Sequence, residues 1–498
     1  MTRPVPVLSA ENIAKMIPDG STIALAASGI FLEADALYAA LETSFLETGH
    51  PRDLTLVHAL GIGDGKGTGL GRFAHEGMVK RVIGGHWSWS PAMQRLAAEN
   101  KIEAYSFPGG VISSLLREIG AGRPGLITRI GLGTFADPRV DGGRCNERAT
   151  EDLVEHVSFD GRDYLRYKPL KIDFALIRAS DSDERGTLSL LREPTDLDAH
   201  AAALAAHNSG GKVFAQVERL TKRRAHPARL SRIPGILVHG ILLAPDARKT
   251  YLPGYDPRVS GAAALAPGQG EDHPDLPTGI RRIIAERAMQ ELGDARSVNF
   301  GFGIPGGIPA LVKAAGDVRY WGSVEQGIHN GAMIDGPMFG AAFDPDAIIP
   351  SVDQFDFYSG GGIDVAFLGM GEMDEQGNVN VSKIGGRLVG PGGFVDITQT
   401  ARKVVFCGAF EAKGLDVETT SDGKLHIASH GTVPKLVKAV EHITFSGKQA
   451  LLNGQTVLYV TERAVFKLTQ KGVALVEVAP GIDRDRDVLS RMEFTPVL

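Results

Sequence analysis

Two spacings of apolar residues alternate along the chain. Short, nearly continuous apolar runs, STIALAASG at 21–29 and SVNFGFG at 297–303, read as strands covered on both faces. Between such runs the period changes. Leu37, Leu41 and Phe45 repeat every four residues and close at Gly49. Ile308, Leu311, Val312 and Ala315 follow the i, i+3, i+4, i+7 pattern, and Ile280, Ile283, Ile284 and Ala288 share one helical face that ends near Gly293-Asp294. A shorter helical pattern, Ile13, Met16 and Ile17, stops at Pro18-Asp19-Gly20. Strands alternating with helices predict an α/β fold with mostly parallel open sheets and helices on their faces. In such sheets sites lie beyond the carboxyl ends of strands.

The pattern also repeats. Residues 172–190, IDFALIRASDSDERGTLSL, match residues 363–381, IDVAFLGMGEMDEQGNVNV, at Ile172-Asp173 with Ile363-Asp364, Ala175 with Ala366, and Asp183-Glu184 and Gly186 with Asp374-Glu375 and Gly377. The offset of 191 persists at Lys212-Val213 and Lys403-Val404, while the starts of the two halves correspond at a larger offset. This implies two tandem, related α/β domains rather than a short-period solenoid. Between them, 252–279 carries Pro253, Pro257, Pro267, Pro274 and Pro277 among glycines and reads as a linker. The expected division is 1–251, linker 252–279, and 280–498.

A chain of 498 residues fits two large domains. Its net charge of −6 argues against nucleic acid or an anionic membrane as principal partner. Two cysteines, Cys145 and Cys407, form no disulfide framework, and no apolar run reaches the length of a membrane span, so a reducing cytoplasmic location is expected. The 62 glycines are far above the usual level and cluster after apolar runs, at 61–71, 84–85, 360–362 and 390–393, which suggests a backbone-lined site for a large ligand.

Several motifs bear on chemistry. GFGIPG, with Gly301, Gly303 and Gly306, has the GxGxxG spacing after a strand and before a helix, with Glu325 nineteen residues on. Pro305 is out of place in a dinucleotide fingerprint, so a plain glycine turn or a loop lining phosphate or pantetheine competes with that reading. GDGKG at 63–67 lacks the Ser or Thr and the glycine spacing of a phosphate-binding P-loop. His426 and His430 lack the further ligands of a metal site, and no metal is expected. The basic stretch 218–232 reads as a solvated face, with CoA phosphates or a subunit contact as alternatives. Most unusual is YWGSVEQGIHNG at 320–331, where a strand-like run delivers one carboxylate, Glu325, among glycines. A helix cap or a surface acid would look the same from the pattern alone.

Around Glu325 the sequence resembles the second half of family I CoA-transferases, in particular the single-chain propionate/acetate CoA-transferase branch. The likeness is carried by SVEQG (323–327), residues 354–383, GPGGFVDITQ (390–399) and KVVFCGAF (403–410), and in the first half by 64–87, 99–113 and 130–139. TERAVFKLT and EVAPGIDRDRDVL, near the end, complete it. The resemblance implies that Glu325 attacks an acyl-CoA and passes through a glutamyl-CoA thioester in a ping-pong exchange between short-chain acids. It implies oxyanion donors from the backbone of Gly392 or Gly393, and a CoA channel lined by Gly301, Gly303, Gly306, Gly361 and Gly362. Coenzyme A is then a substrate, with no permanently bound cofactor; the other partners are acyl-CoA and short-chain carboxylic acids, and a homo-oligomer is expected.

Subtracting 191 from Glu325 gives Thr134, so the first half would lack the carboxylate and supply the opposite wall of a cleft. Two departures stand out. Many relatives have a glutamine where Pro108-Gly109-Gly110 has Gly109, which leads to the expectation that Gly109→Gln raises kcat. Ile328, His329 and Asn330 follow the nucleophile where small residues are usual, and Asn330 is a candidate to replace the missing glutamine. Acyl-CoA hydrolysis, or CoA binding without chemistry, are the alternative functions.

Overall fold

The computed structural model describes residues 4–248, 250–263, 276–316 and 318–498. The expected linker therefore lies partly outside the described residues, at 264–275. Its described beginning packs inward, with Leu252 and Val259 against the core.

Two nine-stranded sheets organise the chain. In the first, β1 (Thr22–Leu25), β2 (Leu54–His58), β3 (Val79–Gly84), β4 (Glu103–Ser106), β5 (Phe174–Asp183), β6 (Lys212–Thr221) and β7 (Gly240–Leu243) run parallel in the order β7-β6-β5-β1-β2-β3-β4. In the second, β8 (Ser297–Phe300), β9 (Trp321–Val324), β10 (Ile328–His329), β11 (Ala347–Ile348), β12 (Val365–Gly369), β13 (Lys403–Cys407), β14 (Thr456–Val460), β15 (Ala464–Thr469) and β16 (Gly472–Val478) follow the order β11-β10-β9-β8-β12-β13-β14-β15-β16. Its central five strands are parallel, and the outer ones pair antiparallel. The strands are almost wholly apolar because both faces are covered.

Helices form where the 3.6-residue period was legible. Helix α1 (Asp35–Thr48) ends at Gly49, whose N–H bonds Phe45 O at 2.8 Å. Helices α2 (Gly109–Gly120) and α3 (Ala199–Asn208) belong to the first half. Helices α4 (Gly279–Met289), α5 (Ile308–Ala314), α6 (Ser351–Ser359) and α7 (Phe394–Thr398) belong to the second.

The repeat is visible in matched backbone contacts. Asp173 accepts from Thr22 N at 3.0 Å and Asp364 from Ser297 N at 3.0 Å, each tying the start of one strand to its neighbour. Asp183 accepts from the N–H groups of Arg185 and Thr187, and Asp374 from those of Gln376 and Asn378. The strand order β2-β1-β5-β6-β7 matches β9-β8-β12-β13-β14.

This register corrects the Thr134 correspondence. Ala24 pairs with both Val57 and Ala175, as Asn299 pairs with both Ser323 and Ala366. Two residues beyond Val57 and Ser323 lie Ala59 and Glu325, so Ala59 is the counterpart of Glu325. Thr134 instead sits in a turn, its hydroxyl donating to Gly131 O. The offset of 191 fails there because the inserted length between β2 and β5 differs from that between β9 and β12.

The halves share one hydrophobic core. Val111, Ile112 and Leu115 of α2 belong to the same buried cluster as Phe355 of α6 and Phe394, Val395 and Ile397 of α7. At the rim Arg117 of α2 makes a two-point ion pair with Asp356 of α6, at 2.6 and 2.9 Å.

Candidate active site

Glu325 is the first residue past the carboxyl end of β9, in the tight turn to β10. The turn closes through Gly327 N to Val324 O at 3.0 Å. Gly327 has φ +88°, and a Cβ there would stand 1.9 Å from Ile349 O, so only glycine permits this reversal. Trp321 Nε1 donates to His329 Nδ1 at 2.7 Å, and Asn330 bridges Gly322 N and Asp346. His329 and Asn330 thus brace the hairpin that presents Glu325. Asn330, considered from sequence as a replacement oxyanion donor, spends its Oδ1 and one Nδ2–H on these hairpin contacts.

The first half holds the turn from the other side. Thr195 Oγ1 donates to Gln326 O at 2.5 Å, and Gln326 Nε2 donates to Ser28 Oγ at 3.4 Å. Three glycine-rich segments then meet at the carboxylate. Gly393 N donates to Glu325 Oε2 at 2.9 Å, Gly392 N to Gly85 O at 2.8 Å, and Gly109 N to Gly392 O at 2.7 Å. Burial pushes the Glu325 carboxyl up to about 7, against the opposing pull of the Gly393 N–H.

The other sequence-predicted glycines divide. Gly301 follows β8 directly, one strand from Glu325 on the same sheet edge, and its N–H bonds Phe367 O. Gly303 faces open space, and Gly306 borders a cavity of about 450 Å³ with Phe300, Tyr320, Val324 and Phe343. Gly361 and Gly362 are elsewhere. They follow the C-terminus of α6 and precede the amino end of β12, with N–H groups bonded to Tyr358 O and Phe357 O. β12 runs parallel to β8 and β9, so these two glycines lie at the edge opposite Glu325. Their clustering reflects a helix-to-strand turn, which corrects their place in the expected CoA channel.

Two further motifs resolve locally. In the 63–67 segment Asp64 Oδ1 accepts from Lys66, Gly67 and Thr68 N–H groups, so the loop folds on its own carboxylate. In the basic stretch Arg219 pairs with Asp181 and Arg232 with Asp196.

Residues 7–244 match the coenzyme A transferase family. The chain is 42% identical over 497 residues to acetate CoA-transferase YdiF of Escherichia coli K12, covering 99% of this chain and 93% of that protein. It is 42% identical over 505 residues to caffeate CoA-transferase of Acetobacterium woodii, covering 99% and 94%. The crystal structure of the acyl-CoA transferase YdiF apoenzyme from E. coli O157:H7 superposes with a TM-score of 0.94 at 41% identity, over 99% of this chain and 94% of that one. The chain belongs to the family I coenzyme A transferases. The expected fold and enzyme class hold with it, and the dinucleotide reading of GFGIPG falls away. As a CoA-transferase the protein takes coenzyme A as a substrate.

Gly109, where the resemblance led to the expectation of a glutamine, starts α2 in a crowded place. A Cβ there would stand 3.0 Å from Ala59 O and 3.1 Å from both C and O of Gly392. A glutamine would press on the peptide that precedes the Gly393 donor. Gly109→Gln is therefore expected to lower kcat by about tenfold or more, because small displacements at a reacting group are costly. This reverses the expectation from sequence. Turnover measured beside thermal melting checks it, and a faster enzyme with an unchanged Tm would refute the steric argument.

Gln326, Thr195 and Asp396 also shape the site, although no motif marks Thr195. Asp396 carried a signal, as an acid within the apolar run GPGGFVDITQ.

Proposed function

We propose that the enzyme moves CoA between an acyl-CoA and a short-chain carboxylic acid, with Glu325 as the nucleophile. What carries this reading is a carboxylate just beyond a parallel strand, half-buried at the glycine-lined junction and met by the Gly393 N–H at 2.9 Å. A named relative of this fold is a YdiF thioester complex with CoA, with a TM-score of 0.93. In the proposed sequence Glu325 adds to the thioester carbonyl and expels CoA thiolate, leaving an acyl–glutamyl anhydride. The thiolate then adds to the glutamyl carbonyl and expels the acid as its carboxylate. A second acid carboxylate reverses these steps and leaves with CoA. Every step exchanges one activated acyl bond for another, so water must be kept out.

Gly393 N–H faces the oxygen that becomes an oxyanion when thiolate adds to the glutamyl carbonyl. Gly392, whose own N–H is bonded to Gly85, serves this reading as part of the loop that holds Gly393. The Gly301–Gly306 loop, on the same edge, is proposed to border the CoA channel. The two-domain division at 252–279, a homo-oligomeric state and a cytoplasmic location belong to the same proposal. Cys145 and Cys407 are free thiols, and among the described residues no helix is long and apolar enough to cross a membrane.

The reading fixes a pH dependence. Glu325 attacks as the anion, and burial raises its carboxyl to about 7. Proton uptake below that pH removes the nucleophile. kcat/KM for the acyl-CoA half-reaction should fall about tenfold per unit on the acid side of about pH 7. A rate independent of pH down to about 5 would contradict a nucleophilic carboxyl raised to about 7. The function itself is tested by incubating acyl-CoA with acetate and separating the CoA esters: transfer yields acetyl-CoA, hydrolysis yields free CoA, and simple binding yields neither.

A further inference from the structure

One buried acid near the proposed nucleophile is unused by that mechanism. Asp396 lies in α7, three residues after Gly393, and is 1% exposed. Its Oδ2 accepts from Gly110 N at 3.1 Å, at the start of α2. Its Oδ1 has no hydrogen-bond partner among the described residues. Gly110 is adjacent to Gly109, whose N–H holds Gly392 O at 2.7 Å, and Gly393 N–H holds Glu325. The contacts form one chain from Asp396 through the start of α2 and the 392–393 loop to the nucleophile. The packing is tight throughout. A Cβ on Gly110 would stand 2.4 Å from Phe355 and 2.5 Å from Asp396, and one on Gly393 2.9 Å from the same ring. Phe355 is fully buried.

No cation among the described residues pairs with Asp396. Around it, α2 contributes Arg117 and Glu118, engaged at the surface by Asp356 and Arg123. Helix α6 contributes exposed Asp353 and Asp356 and the buried Tyr358 phenol. β12 contributes no titratable side chain. The remaining neighbours are Glu325 and the Tyr167 phenol, which feels the Asp396 charge. Backbone N–H groups of Gly110, Val111 and Asp396 itself favour the anion, but with no counter-ion to offset burial this carboxyl is better accommodated neutral than charged.

We propose that Asp396 is a positioning residue for the Glu325 reaction, fixing the start of α2 against the 392–393 loop as a neutral carboxylic acid. The proposal rests on the reading of Glu325 as nucleophile. Burial first, then the Glu325 charge, raises the Asp396 carboxyl to about 8, although Gly110 N–H opposes the shift. Glu325 ionises first, and its charge then keeps the proton on Asp396. Neutrality matters because a second anion here would oppose both the oxyanion and the departing thiolate.

The test compares wild type, Asp396→Asn and Asp396→Ala across pH. Asparagine keeps an acceptor for Gly110 N–H and cannot ionise; alanine removes the acceptor. D396A should lose about tenfold or more in kcat through misplacement of the loop, and D396N should recover most of that loss. Wild-type turnover should decline above about pH 8 as Asp396 ionises, and D396N should lack that decline. The proposal is overturned if D396N is as impaired as D396A, or if both enzymes share one alkaline limb. Should either variant fail to fold, wild type labelled with ¹³C at aspartate carboxyls answers by infrared spectroscopy. A protonated aspartic acid band at pH 7 that vanishes above about 8 is expected, and its absence overturns the proposal. Peptide mapping of the CoA adduct separates the two ideas. A wild-type adduct away from Glu325 removes the nucleophile assignment, whereas the infrared band still reports on Asp396, since Asp196 and Asp198, raised to about 6, have lost most of their protons by pH 7.

Discussion

Glu325→Ala is expected to lower CoA transfer by about 10⁴-fold or more, since covalent catalysis has no substitute once the nucleophile is gone. Within the glycine-lined junction the carboxylate accepts from Gly393 N, and the counterpart in the first half is Ala59, which has no carboxylate to offer. Incubating wild type with acyl-CoA and no acceptor should leave part of it as the glutamyl thioester. Intact-mass spectrometry should then show a species heavier by CoA less one water, mapped to residues 320–331. Borohydride should reduce this thioester and inactivate the enzyme. Glu325→Asp keeps the charge but withdraws the carboxylate by about 1 Å, and should lose about 10²-fold. Full activity in Glu325→Ala, or an adduct on another residue, would falsify the assignment.

Gly393→Ala should have the second largest effect, a loss of about 10²-fold or more in kcat. Gly393 has φ −83°, which alanine adopts without strain, so the substitution tests space alone. The added Cβ would stand 2.2 Å from Glu325 Oε2 and 2.9 Å from the Phe355 ring. Phe355 is buried and cannot retreat, so the carboxylate must leave its place and its N–H donor. One such donor contributes about 10²–10³ in rate where it meets developing charge. Gly392→Ala makes the contrast. Its Cβ would remain 3.5 Å from Oε1, but its φ of +54° disfavours alanine. Gly392→Ala should therefore lower Tm while slowing turnover less than Gly393→Ala. Equal kinetic loss in both variants would mean that loop conformation, and not room at the carboxylate, limits the reaction.

The apolar pattern marks the elements and sets Glu325 just past the end of a strand. The four-residue spacing of Leu37, Leu41 and Phe45 marks α1, and the apolar runs before Gly301 and Glu325 mark β8 and β9. These signals are legible because strand and helix periods depend on near neighbours. The repeat was legible at 172–190 and 363–381 because Asp173 and Asp364 make the same local contact, as do Asp183 and Asp374. Which residue of the first half corresponds to Glu325 depends on strand register. Unequal insertions shifted the matching position from Thr134 to Ala59, which strand register reveals and a constant offset does not. The tertiary structure also separated Gly361 and Gly362, which turn a helix into a strand at the far sheet edge, from the glycines near the carboxylate. The bonds from Gly109 to Gly392 and from Gly110 to Asp396 join residues nearly three hundred positions apart. No local periodicity encodes such contacts, because they exist only once the two sheets pack and backbone groups from both must find partners in a shared, water-poor junction.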